Sequence, residues 1–213
     1  MLSLPRLYAI ADRATLDARS IAVADFAAAL VSACVGLVQY RDKVNPPQQI
    51  LAAAAEITSA FASRDCLLVM NDRADLAALA GWSAVHVGQG DLFVADAQQV
   101  LSRNIGQQGI VGLSTHTDEQ VLAADQTDAA YIAIGPVFST TTKPDAEQPV
   151  GLEGVRRARS LTSKPLVAIG GITRYNASSV LDAGADSVAV ISGLFAPGQT
   201  LAESVEDFLA CLR

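Results

Sequence analysis

Eight short, almost uninterrupted apolar runs punctuate the chain, at residues 7–10, 36–40, 67–70, 84–87, 110–113, 130–134, 166–169 and 187–191. Runs of this length without polar alternation predict parallel strands covered on both faces. Longer Ala-rich stretches separate them and predict helices over 21–32, 47–63, 73–80, 95–101, 118–124, 151–160, 176–183 and 201–212. Thr117 stands at an N-cap position, and Pro46-Pro47 opens another helix at the first turn, where proline is tolerated. Eight strand–helix units in 213 residues are lean but adequate for the α/β class and a single (β/α)8 TIM barrel, one catalytic domain over 1–213. An open doubly wound sheet fits less well, because it needs fewer repeats and no GxGxxG follows the first strand.

Composition narrows the function. With 51% hydrophobic and 17% charged residues the chain is not a disordered one. Fifteen basic against 22 acidic side chains leave a net charge of −7, which argues against nucleic acid as a partner. A local basic pocket for a small phosphorylated molecule is still compatible with that balance. Cys34, Cys66 and Cys211 are odd in number, have no CxxC spacing and share the chain with two histidines. They suggest neither a zinc site nor a disulfide framework, but reduced, buried thiols in a cytoplasmic protein. The N-terminus lacks the layout of a signal peptide. The longest apolar stretch, residues 26–38, is shorter than the roughly 20 residues that span a bilayer. A soluble protein without a membrane partner is expected.

Polar residues collect just after the strands, at the C-terminal mouth where barrel active sites form. After the second strand, alternation sends Gln39, Arg41 and Lys43 to one face, a set suited to pyrophosphate. Ion pairing of Asp42 with Arg41 or Lys43 is the structural alternative. After the third and fourth strands stand Asn71-Asp72 and Asp91. Two carboxylates on neighbouring strand ends suit Mg2+, which completes its shell with waters and phosphates, although Asp72 and Asp75 also read as helix caps. The sixth strand leads into Ser139-Thr140-Thr141-Thr142-Lys143, which suits anionic oxygens or a Thr-rich turn. Gly170-Gly171 follows the seventh strand and Ile191-Ser192 closes the eighth, the recurrent phosphate position of barrels. His86 reads as a structural imidazole, His116 as a loop-shaping residue, and Ser114 as a ligand contact. Trp82 reads as core or rim. Together these features describe two anion sites at one mouth, and hence two phosphorylated substrates.

The blocks VQYRDK at 38–43, NDRADLA at 71–77, VHVGQGDL at 85–92, GLSTHT at 112–117, GPVFSTTTK at 135–143, AIGGIT at 168–173 and AVIS at 189–192 resemble the thiamine phosphate synthase family, in its order and spacing. The resemblance implies a Mg2+-dependent transferase of thiamine biosynthesis that joins a hydroxymethylpyrimidine diphosphate to a thiazole phosphate and releases pyrophosphate. It implies pyrimidine-diphosphate contacts from Gln39, Tyr40, Arg41, Asp42, Lys43, Asn71, Ser114 and Lys143. Asp72 and Asp91 look like the metal ligands. Thr140, Thr141, Thr142, Gly171, Ile191 and Ser192 look like the thiazole-phosphate contacts. Arg41, Lys43 and Lys143 are expected to stabilise the departing pyrophosphate. The chain departs from the family pattern at Tyr40, Ser139 and Gly193, where Leu, Pro and Ala are common; none of these removes a charge. Two rival readings keep the barrel: an aromatase-type isomerase using His116 as base, and a non-catalytic sensor. A homo-oligomer is left open.

Overall fold

A computed structural model describes residues 2–106, 108–140 and 147–212. Eight parallel strands close into a barrel in the order β1 to β8, with β1 paired to β8. The strands are β1 (Leu7–Asp12), β2 (Leu37–Arg41), β3 (Leu67–Asn71), β4 (Ala84–Val87), β5 (Ile110–Thr115), β6 (Tyr131–Ile134), β7 (Leu166–Ile169) and β8 (Ser187–Val190). The helices are α1 (Arg13–Asp17), α2 (Val23–Ser32), α3 (Pro47–Phe61), α4 (Ala74–Leu79), α5 (Val94–Ile105), α6 (Asp118–Asp125), α7 (Gly151–Leu161), α8 (Ala177–Asp182) and α9 (Leu201–Ala210). The predicted TIM barrel is therefore the observed fold. α1 is a helix the pattern did not announce, as is a 3-10 turn over Ser192–Leu194: five residues are too few for an apolar period, and the start of α1 is set by Asp12, whose carboxylate accepts from the Thr15 amide at 2.9 Å.

Strand alternation sorts the apolar side chains into two layers. Tyr8, Ile10, Leu37, Val69, Tyr131, Ala133 and Val167 fill the barrel, whereas Leu7, Ala9, Val38, Tyr40, Met70, Ile132 and Val188 pack outward against the helices. Gly112 in β5 is required by this interior, because a Cβ there would lie 2.0 Å from the Tyr131 ring. Trp82 is buried and donates its indole N–H to the Thr58 hydroxyl at 2.8 Å, so it belongs to the core. Thr117 caps α6 and Pro47 sits in the first turn of α3, both as expected.

The buried-thiol expectation needs correction. Cys34 and Cys211 are exposed and Cys66 is half-buried, all three free. Cys34 takes a left-handed conformation (φ 56°) in the turn after α2, and Cys211 follows the last turn of α9; both helix ends face solvent. No helix among the described residues is long and apolar enough to cross a membrane.

Candidate active site

The C-terminal ends of the strands enclose a cavity of about 530 Å³. In a closed ring of eight, β3 lies four strands from β7, so the β2–β4 wall faces the β6–β8 wall. Of the sites read from the sequence, Gln39, Arg41, Lys43, Asn71, Asp72, Asp91, Ser114, Thr140, Gly171, Ile191 and Ser192 line this cavity. Thr141, Thr142 and Lys143 lie outside the described residues.

Two residues of the 39–43 segment do not reach the cavity. Tyr40 alternates outward into the helix-facing layer, 1% exposed, and donates its hydroxyl to Asp42 at 2.9 Å. Asp42 also accepts from the Val44 and Asn45 amides at 3.0 Å and from the Asn45 side chain at 2.9 Å. Burial works against its ionisation, but these donors outweigh it and hold the carboxyl below the usual range. The pair braces the loop behind the site.

The two cations face the cavity on carboxylates that the ion-pair alternative did not name. Arg41 is paired with Asp12 at 2.5 Å, and Asp12 is itself 3% exposed. Lys43 is paired with Asp72. Arg, with its planar fork, is held at one edge by the carboxylate and leaves its other N–H groups for an anion. Asp72 is not a helix cap: α4 begins after Arg73, whose guanidinium grips Asp75 through two bonds of 2.8 and 2.6 Å. Asp72 instead adopts φ 60°, a conformation Asp tolerates better than most residues, and its amide donates to the His86 carbonyl at 2.7 Å. Burial pushes its carboxyl above the usual range; Lys43 opposes this, and the neighbouring Asp91 carboxylate adds to it. Asp91 accepts from the Gly88 amide at 2.8 Å.

Facing them, the loops after β6, β7 and β8 pack backbone against backbone. Gly171 has φ 63°, and a Cβ there would lie 2.6 Å from the Ser139 carbonyl. A Cβ on Gly193 would lie 2.3 Å from the Ile172 carbonyl. This wall therefore offers main chain at close range, as an anion cradle requires.

His86 is structural, as its position within a strand suggested. Its Nδ1 lies 3.1 Å from the Tyr131 hydroxyl and its Nε2 2.8 Å from Ser114 Oγ. Burial pushes its pKa down to about 4, against a smaller upward pull from Asp91, so the ring is neutral at pH 7. His116 lines the cavity too, with Nδ1 2.5 Å from the Gly135 carbonyl and its amide donating to Gln120 at 2.7 Å. Asp12, Tyr8 and Tyr131 escaped the sequence reading. A carboxylate ending the first strand at the mouth was the available signal for Asp12; nothing local marks two tyrosines as inward.

The family profile described as thiamine monophosphate synthase matches residues 7–194. The chain is 48% identical over 208 residues to the thiamine-phosphate synthase of Koribacter versatilis, covering 96% of both chains. It is 39% identical over 191 residues to that of Chloroflexus aurantiacus, covering 90% of this chain and 85% of the relative. Among solved structures, the thiamine phosphate pyrophosphorylase of Pyrococcus furiosus superposes with a TM-score of 0.82 at 28% identity, over 97% of this chain and 95% of that one.

Proposed function

The chain belongs to the thiamine monophosphate synthase family and is an enzyme of thiamine biosynthesis; for its chemistry we propose the following reaction and division of labour. The substrates are 4-amino-5-hydroxymethyl-2-methylpyrimidine diphosphate and 4-methyl-5-(2-phosphoethyl)thiazole, or its 2-carboxylate. The products are thiamine monophosphate and pyrophosphate. The observation that carries this reading is the pairing, in one cavity, of carboxylate-anchored cations on the β2–β4 wall with the close-approach glycine backbone of the β6–β8 wall.

The diphosphate binds beside Arg41 and Lys43, and the thiazole phosphate against Gly171, Ile191, Ser192 and Thr140. The C–O bond to pyrophosphate breaks first, and its electron pair leaves with the pyrophosphate. The electron-rich aminopyrimidine supports the resulting exocyclic carbocation. The thiazole nitrogen then donates its lone pair to that carbon. This nitrogen has no proton to lose, so the bond forms without a general base. Arg41 and Lys43 meet charge that grows as the bond breaks, where fixed cations act most strongly. Lys143 is assigned the same role from the family resemblance. Holding both reactants at one mouth contributes roughly 7–11 kcal/mol when orientation is good.

Asp72 and Asp91 would hold Mg2+. Their fit is supported by the raised carboxyl of half-buried Asp72: burial and the neighbouring Asp91 carboxylate push it up despite Lys43, an environment that a further cation would relieve. Two carboxylates with waters and phosphates suit Mg2+, and a bound ion would neutralise the diphosphate. A cytoplasmic setting completes the proposal.

The test is incubation of the purified protein with both substrates, with Mg2+ or with EDTA, following both products. Equimolar, Mg2+-dependent thiamine phosphate and pyrophosphate are expected. Binding of the thiazole phosphate without either product overturns the reading.

A further inference from the structure

His116 lines the cavity, but the proposed reaction gives it no task. Its backbone is held by the first turn of α6. Thr117 caps that helix by accepting from the Gln120 amide at 3.3 Å, and the Gln120 side chain returns to accept from the His116 amide at 2.7 Å. Gln120 thus reaches back one residue further than in a capping box, and fixes the residue in front of the cap. The His116 ring then bridges to the next strand, with Nδ1 2.5 Å from the Gly135 carbonyl oxygen. A carbonyl only accepts, so Nδ1 carries the proton and donates it.

Gly135 begins the loop after β6, and its peptide is pressed from both sides. Its amide donates to the Thr115 carbonyl at 3.3 Å, while a Cβ on it would lie 2.2 Å from the Ile169 carbonyl. From there the chain runs along the end of β7. The Val137 amide donates to the Ile169 carbonyl at 2.8 Å, and the Phe138 amide to the Gly170 carbonyl at 3.0 Å. The Ser139 carbonyl that follows is 2.6 Å from the place of a Gly171 Cβ. A continuous set of contacts therefore joins the start of α6 to the glycine wall, with the imidazole as the link between the loops after β5 and β6. Backbone packed this closely passes on a shift of Gly135 instead of absorbing it.

We propose that His116 is a positioning residue whose Nδ1–H holds Gly135 and thereby sets the β6–β7 backbone that receives the phosphate of the thiazole substrate. The inference rests on the proposed function and deepens it, because it concerns how that phosphate's site is held. Main-chain N–H groups bind an anion only when they point at it together, so a small displacement of this backbone weakens the site. The facing wall, with Arg41 on Asp12 and Lys43 on Asp72, is held by other contacts and is unaffected. Direct contact of Nε2 with a substrate would make the opposite prediction about which ring nitrogen matters.

The experiment separates the two nitrogens. In His116→Asn the side-chain N–H takes the place of Nδ1–H, whereas in His116→Gln it falls near Nε2. Binding of the thiazole phosphate, and of inorganic pyrophosphate with Mg2+, is measured by calorimetry for the unmodified protein and both variants, each checked by its thermal transition. The Asn variant is expected to bind the thiazole phosphate within about threefold of the unmodified protein, and the Gln variant about tenfold more weakly, the loss of one hydrogen bond. Pyrophosphate affinity is the same in all three, which a general loosening of the barrel would not leave. The reverse order, with Gln retained and Asn weakened, assigns the ring to direct contact through Nε2 and overturns the proposal. Thiazole-phosphate affinity that is equal in the two variants, or an equal loss for both ligands, overturns it too. If His116→Gln does not fold, His116→Ala replaces it with the same expectation. No thiazole-phosphate binding by the unmodified protein would overturn the proposed function and this assignment with it; binding that ignores His116 would overturn the assignment alone.

Discussion

Asp12 offers the sharpest single perturbation of this site. It performs two tasks: one oxygen caps α1 by accepting from the Thr15 amide and hydroxyl at 2.9 and 2.7 Å, and the other holds Arg41 at 2.5 Å. Asp12→Asn keeps an N-cap of equal rank and removes the charge that anchors the guanidinium. Breaking a buried ion pair from one side costs roughly 3–5 kcal/mol. Asp12 is 3% exposed, but the Arg41 side chain is 22% exposed towards the cavity and keeps water, so the cost falls to about 1–2 kcal/mol. For a chain of this size that lowers Tm by about 2–8 °C. The catalytic effect is larger in proportion. A misaligned donor at developing charge loses about 10–100-fold in kcat/KM for the pyrimidine diphosphate, short of the roughly 10²–10³ for deleting an oxyanion donor. The thiazole-phosphate KM stays nearly constant, because the site proposed for that substrate is on the facing wall. Steady-state kinetics with each substrate varied in turn, beside a thermal melt, read both quantities. Wild-type kcat/KM in a folded Asp12→Asn protein, or equal losses for the two substrates, would refute the anchoring argument.

Three further outcomes are expected. Asp91→Ala lowers kcat about 100-fold and raises the Mg2+ needed for half-maximal rate, while thiazole-phosphate binding changes little; equal losses in both, measured by kinetics and calorimetry, count against its place on the diphosphate side. Gly171→Ala costs roughly 1–2 kcal/mol for its left-handed backbone alone, with the Ser139 carbonyl 2.6 Å from the new methyl adding to it, and it raises the KM of the thiazole phosphate selectively; an unchanged KM removes Gly171 from the cradle. His86, with its pKa depressed to about 4, binds fewer protons folded than unfolded between pH 4 and 6.5. Its contribution, up to about 3 kcal/mol, is complete above pH 6.5 and drains away as pH falls towards 4. Urea titrations across that window should show a stability slope that His86→Gln reduces; parallel slopes in the two proteins contradict a buried neutral imidazole.

The positions of the polar residues at strand ends were readable in advance because the strand period is two and the barrel mouth is defined by chain direction. Gln39 and Arg41 point inward on that count. The same count puts Tyr40 outward, and the family-wide assignment of the whole 39–43 segment to the ligand ran past it. The ion pairs were not readable. Asp42 is adjacent in sequence to both cations, yet three backbone and side-chain donors from Val44 and Asn45 occupy it, and the cations pair with Asp12 at the end of β1 and Asp72 just after β3.

By itself, then, the sequence determined the alternation of strands and helices, the count of eight and the end of the barrel that carries chemistry. Each of these follows from periodicity and capping within a few residues along the chain. The tertiary structure alone decided which polar groups meet. Tyr8 reaches Tyr131 across 123 residues, Tyr131 reaches His86 across 45, and Asp12 reaches Arg41 across 29. Barrel closure brings those side chains together, and a hydrogen bond depends on distance in space, which local sequence pattern does not encode.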